Sequence, residues 1–230
     1  MKVKPPVALI SDFDGTISKE DFFWFLIDKF LTHDDLKPWD DYKSGKITHI
    51  TALGQIFGKV HIEVNEFDRF VLTLPIEEAF VETVNTCKAK GIEFHILSAG
   101  ADYYINYWIN HLNLNGLVSI NSNKSYYTKE TGLAYHEFDN GFDTKDPFYS
   151  REYGISKFNF VKHYKDRGYF CIFAGDGTPD FECAKLADVV FARKVLLKKC
   201  LDAGIKTEKF ESYEDILDFI KSLEIEGSAN

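Results

Sequence analysis

The sequence has no C-x-x-C pair, no dense cluster of Lys and Arg, and no apolar run near the roughly 18 residues of a membrane span. Its four cysteines are dispersed, and Cys87 and Cys171 lie in or beside apolar segments, so we expect reduced, packed thiols. Acidic residues outnumber basic ones, 36 to 27, for a formal charge of −9. The beginning of the sequence shows no apolar stretch followed by a cleavage site. We therefore predict a soluble cytoplasmic protein that binds neither nucleic acid nor a membrane.

Three common catalytic and metal-binding patterns are also missing. The seven histidines show no H-E-x-x-H spacing, so no zinc site is predicted, and His95, inside an apolar run, is interpreted as a core residue. No G-x-S-x-G elbow surrounds Ser98, which disfavours a serine hydrolase. Residues 54–60 resemble a P-loop faintly, but they are one residue short and lack the Ser/Thr.

Repeated strand–helix units are the main pattern of the 230 residues. Apolar runs at 7–11, 92–97, 169–174 and 188–192 are each followed by a polar turn and a helical pattern. Weaker strand patterns occupy 117–121 and 206–210. The alternation predicts an α/β fold with a Rossmann-like parallel sheet covered by helices.

A block of helical pattern separates the first two strong strands. Its helices are predicted at 21–31, 34–44, 48–57 and 63–72; Pro75 then closes the block before a helix over 77–90. We therefore predict a core made of residues 1–17 and 76–230, with a small helical cap inserted at 18–75. The first cap helix is apolar almost all round, so it either packs the cap against the core, which we favour, or faces an apolar part of a substrate.

Two further segments stand outside this pattern. Residues 121–147 contain turn residues and an alternating apolar run, which predict a hairpin or a long surface loop. The last residues, 226–230, are predicted to fray.

The first polar strand end follows residues 7–10 and reads Ser-Asp-Phe-Asp-Gly-Thr. Because side chains alternate along a strand, Asp12 and Asp14 can point the same way. Gly15 allows a sharp turn and can offer its N–H to an anion. A calcium loop is excluded, because Ile17 stands where such a loop requires glycine. The motif alone is compatible with a phosphoryl-transfer site or with solvated aspartates at a plain strand exit.

The second polar strand end is Ser98, followed by Ala99 and Gly100. A hydroxyl group and open backbone N–H groups can hold phosphate oxygens. A Ser-x-Gly sequence is also an ordinary helix N-cap, which we favour for this segment taken alone.

The third polar strand end carries Asp176 and Asp180, four residues apart where a helix begins, so both can face one cation. Paired aspartates on two strands repel each other unless a divalent cation or a proton intervenes, which favours bound Mg²⁺. Lys157 begins a helix just before this strand and can reach a phosphate at the same sheet edge, although a lysine there is commonly only a solvated charge.

These four pieces, in this order, resemble the haloacid dehalogenase superfamily of phosphatases, and the resemblance spans nearly the whole chain. The insertion after the first motif is similar to the cap of the phosphoserine phosphatase-like branch. Residues 74–75 and 184–193 are most similar to methionine-salvage phosphatases, and phosphocholine and phosphoethanolamine phosphatases are similar relatives.

The resemblance implies that Asp12 is the nucleophile and that Asp14 is the general acid and base. It implies Mg²⁺ held by the carboxylates of Asp12 and Asp176 and by the backbone carbonyl of Asp14, with Asp180 in support. The implied phosphate-binding residues are Gly15, Thr16, Ser98, Ala99 and Lys157.

By the same resemblance the substrate is a small phosphorylated metabolite, of a methionine-salvage or phosphocholine type, hydrolysed through an aspartyl-phosphate. Phosphoserine phosphatases read the substrate amine with a glutamate, whose place here is taken by Asp21, beside Glu20; phosphoserine is therefore not the expected substrate. A phosphotransferase or mutase, and a phospho-acceptor sensing module with little turnover, are the alternative functions. The sequence carries no signal for an oligomeric state.

Overall fold

The structure is a computed structural model that describes residues 1–136 and 144–226. The strands of this part of the chain are β1 (Lys2–Val3), β2 (Val7–Ser11), β3 (Glu93–Ala101), β4 (Ser119–Asn123), β5 (Ser125–Thr128), β6 (Gly132–Tyr135), β7 (Tyr149–Ser150), β8 (Gly154–Ile155), β9 (Phe170–Gly175), β10 (Val189–Ala192), β11 (Glu208–Lys209) and β12 (Glu224–Ile225). The α-helices are α1 (Phe22–Phe30), α2 (Lys37–Lys43), α3 (His49–Phe57), α4 (Val64–Val71), α5 (Phe80–Ala89), α6 (Asp102–His111), α7 (Lys157–Asp166), α8 (Phe181–Ala184), α9 (Lys194–Asp202) and α10 (Tyr213–Ser222). Short 3₁₀ helices cover His33–Leu36 and Thr178–Asp180.

Six strands form one parallel sheet in the order β11-β10-β9-β2-β3-β4. Each apolar run that predicted a strand contains one, and the predicted α/β fold is confirmed. The run at 92–97 is longer than predicted, because the small residues after Ser98 stay extended and β3 pairs with β4 again at Ala101 after a register shift. The sheet reverses its strand order around β2, and ligands bind at such a switch point in open α/β sheets.

Alternate residues of β2 enter two different hydrophobic clusters. Val7 and Leu9 join the cluster formed with α5, α6 and α10, whereas Ala8 and Ile10 join the cluster formed with α7, α8 and α9. Because side chains alternate faces along a strand, the two clusters are the helix layers on the two faces of the sheet.

The four cysteines are buried and unpaired, as predicted. Cys87 belongs to the first cluster, and the others belong to the second: Cys171, Cys183 and Cys200. Burial raises the pKa of the Cys87 thiol to about 12 and that of Cys171 to about 11, so neither is a reactive thiolate at neutral pH.

The helical block predicted between the first two strands is present as α1 to α4. The helix predicted over 34–44 begins as a 3₁₀ turn before α2, where Pro38 stands near its start. The boundaries of the cap, 18–75, stay a prediction. Among the described residues, no helix has the length and apolar character needed to cross a membrane.

The hairpin predicted within 121–147 exists as β5 and β6, and it packs on the helical block rather than standing free. The ring of Tyr127 stacks on Phe67 with 3.8 Å between ring centroids, and its hydroxyl contacts the backbone of Val60 and Ile62. Residues 137–143 of that prediction, and 227–230 of the predicted frayed end, lie outside the described residues.

Two linkers join the helical block to the sheet, and they run side by side. Ser18 and Ile76 form an antiparallel bridge. The Lys19 N–H donates to the Pro75 carbonyl at 2.8 Å, and the Glu77 N–H donates to the Ile17 carbonyl at 2.9 Å.

Candidate active site

One cavity of about 400 Å³ opens at the carboxyl ends of β2, β3 and β9, below the helical block. The sheet side of its wall is mainly polar and includes Asp12, Asp14, Ser98, Ala99, Gly100, Tyr104, Lys157 and the turn from Asp176 to Asp180, with Val195 beside them. The cap side consists of Asp21, Phe23, Trp24, Trp39, His49, Leu53 and Phe57. The three polar strand ends of the sequence thus meet at one place, because parallel neighbouring strands present the same ends to the same edge.

Lys157 lies at the base of this cavity and bridges two aspartates. Ser156 caps α7, so that Lys157 is the first residue of the helix. Its Nζ donates to Asp12 Oδ1 at 2.6 Å and to Asp180 Oδ1 at 2.7 Å. The lysine side chain is only 6% exposed, so Lys157 is not a solvated surface charge.

The protonation of this trio follows from its charges. Burial alone would lower the pKa of Lys157, but Asp12 and Asp180 outweigh it and raise that pKa, so the lysine stays charged. Burial raises the pKa of Asp12 well above its ordinary value, and the carboxylates of Asp180, Asp176 and Asp14 oppose the lowering by Lys157. Ionising all of these carboxylates at once is therefore costly, because one buried lysine does not neutralise them.

The carboxylates of Asp12, Asp176 and Asp180 offer oxygen atoms that all lie within 4.8 Å of one another. Asp180 already accepts hydrogen bonds on both oxygens: Oδ1 from Lys157, and Oδ2 from the Asp176 and Gly177 N–H groups at 3.1 and 3.0 Å. Burial and the neighbouring Asp180 raise the pKa of Asp176. Carboxylate oxygens crowded together in this way fit Mg²⁺. Because both oxygens of Asp180 already accept hydrogen bonds, Asp180 is better placed to hold the other residues of the site than to bind the cation itself.

Asp14 lies on the other side of the cavity and contacts neutral donors. Its Oδ2 accepts hydrogen bonds from Tyr104 Oη at 2.6 Å and Ser98 Oγ at 3.1 Å, and its Oδ1 accepts one from the Phe22 N–H at 3.2 Å. Burial raises the pKa of Asp14, and these three hydrogen bonds only partly oppose it. The raised pKa shifts Asp14 toward its protonated form, which is the form that a proton donor requires.

Ser98 is brought to the cavity but not as a helix cap. Its Oγ accepts a hydrogen bond from the Gly100 N–H at 2.9 Å and donates to Asp14, while α6 begins four residues further on, after Ala101. Ala99 also lines the cavity, and Asn123 Nδ2 holds its carbonyl at 2.8 Å. This stretch lies where the pairing of β3 with β4 shifts register, between Leu97 and Ala101.

Two predicted phosphate-binding residues are placed differently. Gly15, at φ +71°, turns its N–H back into its own loop, where Ser18 Oγ and the Glu20 carbonyl accept it at 3.2 and 3.3 Å. The expectation that this N–H faces an anion is therefore wrong. Thr16 does not form part of the cavity wall, and its hydroxyl is buried without a hydrogen-bond partner among the described residues.

The cap side of the cavity is mainly aromatic. Phe23 packs on Trp39 with 4.5 Å between ring centroids, and Trp24 lies beside both rings. Phe22 instead packs inward on Tyr104 at 4.0 Å. The apolar start of α1 thus packs inward through Phe22, as favoured, and lines the cavity through Phe23 and Trp24, because successive residues of a helix point in different directions.

Two titratable groups of the cap face the same cavity. Asp21 caps α1 through the Phe23 N–H at 2.9 Å; surrounding protein and then the charge of Asp14 raise its pKa to about 7, although the residue is reached by solvent. Burial, with a contribution from Lys157, lowers the pKa of His49 to about 4, so its imidazole is neutral. The Nδ1 atom of His49 is buried without a hydrogen-bond partner among the described residues.

Sequence reasoning missed Tyr104, His49 and Lys194. Lys194 Nζ contacts Asp176 Oδ2 at 2.9 Å. A signal existed for this residue, because it lies two residues after the end of β10, whose carboxyl end lies at the same sheet edge. Tyr104 and His49 had no comparable signal, since their approach depends on how α6 and α3 pack.

A parallel sheet with two aspartate-bearing strand ends and a buried lysine at one edge defines a phosphoryl-transfer enzyme of the α/β class. A model of the haloacid dehalogenase-like hydrolases matches residues 9–185. The chain belongs to this family.

Relatives of known name span nearly the whole chain. A 2-hydroxy-3-keto-5-methylthiopentenyl-1-phosphate phosphatase of Bacillus velezensis is 27% identical over 224 residues, which cover 94% of this chain and 90% of that protein. The phosphatase of the same name from Bacillus thuringiensis is 26% identical over 227 residues, covering 94% and 97%. These findings confirm the predicted resemblance.

Solved structures agree on the fold. A substrate-bound phosphoserine phosphatase complex superposes with a TM-score of 0.63 at 17% identity, covering 94% of this chain and 99% of that one. A haloacid dehalogenase family hydrolase from Salmonella enterica serovar Typhi gives a TM-score of 0.67 at 16% identity, covering 95% and 74%.

Proposed function

We propose that this chain is a Mg²⁺-dependent phosphomonoesterase that hydrolyses a small phosphorylated metabolite through an aspartyl-phosphate on Asp12. The observation that carries the proposal is the contrast between two neighbouring aspartates. Asp12 contacts the buried ammonium of Lys157, whereas Asp14 contacts the neutral donors Tyr104, Ser98 and Phe22 N–H. Environments of this kind separate a nucleophile from a proton donor.

In the first step, Asp12 attacks phosphorus as the bond to the leaving oxygen breaks, and that oxygen takes the proton of Asp14. In the second step, Asp14 removes a proton from water, which attacks phosphorus, releases inorganic phosphate and regenerates Asp12. Lys157 holds Asp12 and offers positive charge to the transferring group. Bound Mg²⁺, held by Asp12 and Asp176 with Asp180 in support, supplies further charge neutralisation.

The test separates the two aspartates by trapping the intermediate. With p-nitrophenyl phosphate, whose leaving group needs little protonation, Asp14→Asn should still accumulate a phosphoenzyme but turn over slowly. Asp12→Asn should form no phosphoenzyme and show no turnover. Acid quench followed by mass spectrometry measures the phosphoenzyme in both variants. Turnover by Asp12→Asn contradicts the nucleophile assignment, and turnover in excess EDTA contradicts the metal requirement.

The same experiment separates the alternatives. A sensing module does not need an acid–base group that hydrolyses its phosphoenzyme rapidly. A wild-type phosphoenzyme that lasts for minutes therefore supports the sensing module and contradicts the hydrolase. A phosphotransferase instead passes the phosphoryl group to an added alcohol in preference to water, which product analysis detects.

For the substrate we propose 2-hydroxy-3-keto-5-methylthiopentenyl-1-phosphate, as in the relatives from Bacillus, in a cytoplasmic setting. Phe23, Trp24 and Trp39 suit an apolar methylthio group, because sulfur packs favourably at aromatic edges. The neutral His49 suits a hydroxyl or keto oxygen. Among the described residues that line the cavity, Lys157 is the single cation, which leaves a substrate carboxylate such as that of phosphoserine without a partner.

A substrate panel tests this choice. The methionine-salvage intermediate should exceed phosphoserine, phosphocholine and pyridoxal phosphate in kcat/KM by at least about tenfold. Trp39→Ala should lower kcat/KM for the intermediate but leave methyl phosphate turnover within about twofold. A preference for phosphocholine would contradict the proposal and would indicate that Asp21 and the aromatic rings bind a quaternary ammonium group.

A further inference from the structure

Arg193 lies between β10 and α9, outside the cavity wall, and uses its whole guanidinium group. Its Nε donates to the Gly15 carbonyl at 2.7 Å, and its Nη2 donates to the carbonyls of Thr16 and Ser18 at 3.1 and 3.3 Å. Its Nη1 donates to Glu77 Oε1 at 2.8 Å and to the Glu211 carbonyl at 3.3 Å. A guanidinium has five N–H donors, and here five acceptors receive them.

Four of these acceptors come from the catalytic loop and the two linkers of the helical block. Gly15 and Thr16 directly follow Asp14, Ser18 lies on the first linker, and Glu77 lies on the second. The Arg193 and Glu77 side chains are 12% and 6% exposed, so their ion pair is largely shielded from water. One side chain therefore ties the loop that carries Asp12 and Asp14 to both connections of the cap.

The next residue reinforces this arrangement. Lys194 has φ +48°, a left-handed conformation that costs a non-glycine residue free energy. In this conformation its Nζ reaches the Gly15 carbonyl at 3.3 Å as well as Asp176 Oδ2. A Cβ atom on Gly15 would lie 2.2 Å from Asp176 Oδ2 and 2.7 Å from Lys194 Nζ. Because the fit around Gly15 is this close, we interpret the contacts of Arg193 and Lys194 with its carbonyl as specific rather than accidental.

We propose that Arg193 is a positioning residue that fixes the catalytic loop relative to the cap linkers, so that the nucleophile and the proton donor meet a substrate enclosed by the cap. The inference rests on the proposed function. Lysine cannot replace Arg193, because an ammonium group has three donors and lacks the planar fork that reaches three segments at once.

The first experiment compares Arg193→Lys with the wild type at 20 °C, per folded molecule. We expect kcat to fall at least about tenfold, while the inhibition constant of inorganic phosphate, which the Lys157 side of the cavity binds, stays within about twofold. Hydrogen exchange at the amides of Lys19 and Glu77 should quicken. A role in stability alone would leave kcat per folded molecule and local exchange unchanged.

Two further variants keep the test decisive. Arg167→Lys makes the same change at an exposed arginine whose partner is His163, and it should leave kcat and linker exchange unchanged. Glu77→Gln keeps an acceptor but removes the charge, and it should lower kcat by about two- to tenfold with intermediate exchange. If Arg193→Lys does not fold, the kcat and the linker exchange of Glu77→Gln decide whether the proposal holds. If either variant keeps the kcat of the wild type and its linker amides stay protected from exchange, the proposal is overturned. If the wild type itself shows no phosphatase turnover, the proposed function is overturned instead.

Discussion

Replacing Lys157 by Met should destabilise the metal-free protein strongly. Lys157 is buried and makes charge-assisted hydrogen bonds of 2.6 and 2.7 Å to Asp12 and Asp180, whose side chains are 8% and 1% exposed. Methionine fills a similar volume but leaves both carboxylates without a cation. Removing one partner of a buried ion pair costs about 3–5 kcal/mol in the free energy of unfolding. For a chain of this size that corresponds to a fall of about 6–20 °C in Tm.

The assay is urea unfolding in EDTA at neutral pH, with Lys194→Met as the matched control. Lys194 also pairs with an aspartate of the cluster, but its side chain is 48% exposed, so its loss should cost only about 0–1 kcal/mol. Saturating Mg²⁺ should reduce the deficit of Lys157→Met, because the cation offsets the same carboxylates. A loss below about 1 kcal/mol, or a loss equal to that of Lys194→Met, would refute the view that this lysine balances the buried charge.

Three other outcomes are expected. A carboxyl group whose pKa is raised on folding contributes stability that is present below its unfolded pKa, near 3.8, and lost as pH rises through its folded pKa; for Asp21 that value is about 7. The urea midpoint in EDTA should therefore fall as pH rises from 4 to 8, and Asp21→Asn should remove the portion of this fall that occurs near pH 7. A wild-type midpoint that does not change with pH would contradict this expectation. Gly15→Ala adds a clash with a carboxylate to a positive φ, so it should cost more stability and more Mg²⁺ affinity than Gly45→Ala, where φ is +75° and space is open; equal costs would argue against the close fit. Tyr104→Phe removes a hydrogen bond that lowers the pKa of Asp14, so the limb of the pH–rate profile due to Asp14 should move to higher pH. If that limb does not move, it belongs to the titration of another group.

The sheet and its polar edge could be predicted because both depend on local sequence. Each buried strand is a short apolar run, and the motifs at Asp12, Ser98 and Asp176 come directly after such runs. Parallel pairing then brings them together without further information. The burial of Lys157 does not follow from local sequence, since a lysine at a helix start is usually solvated, and only the two aspartates facing it make burial tolerable.

The cap side could not be predicted in the same way. The approach of His49 and Trp39 to the cavity depends on the packing of α2 and α3, and short helices carry no signal for their crossing angles. The Gly15 N–H was misassigned for a related reason. The positive φ of Gly15 was foreseeable, but its acceptors, Ser18 and Glu20, lie further along the chain on the first linker.

The distribution of the buried cysteines gives the molecule a built-in pair of reporters. Cys87 lies on α5, in the helix layer on one face of the sheet, and Cys171 lies on β9 and packs against the helix layer on the opposite face. Since each thiol is buried and mostly protonated, an alkylating reagent modifies it only when its own layer opens. The order in which the two thiols are alkylated therefore records which helix layer separates from the sheet first, in the natural protein and without an engineered cysteine.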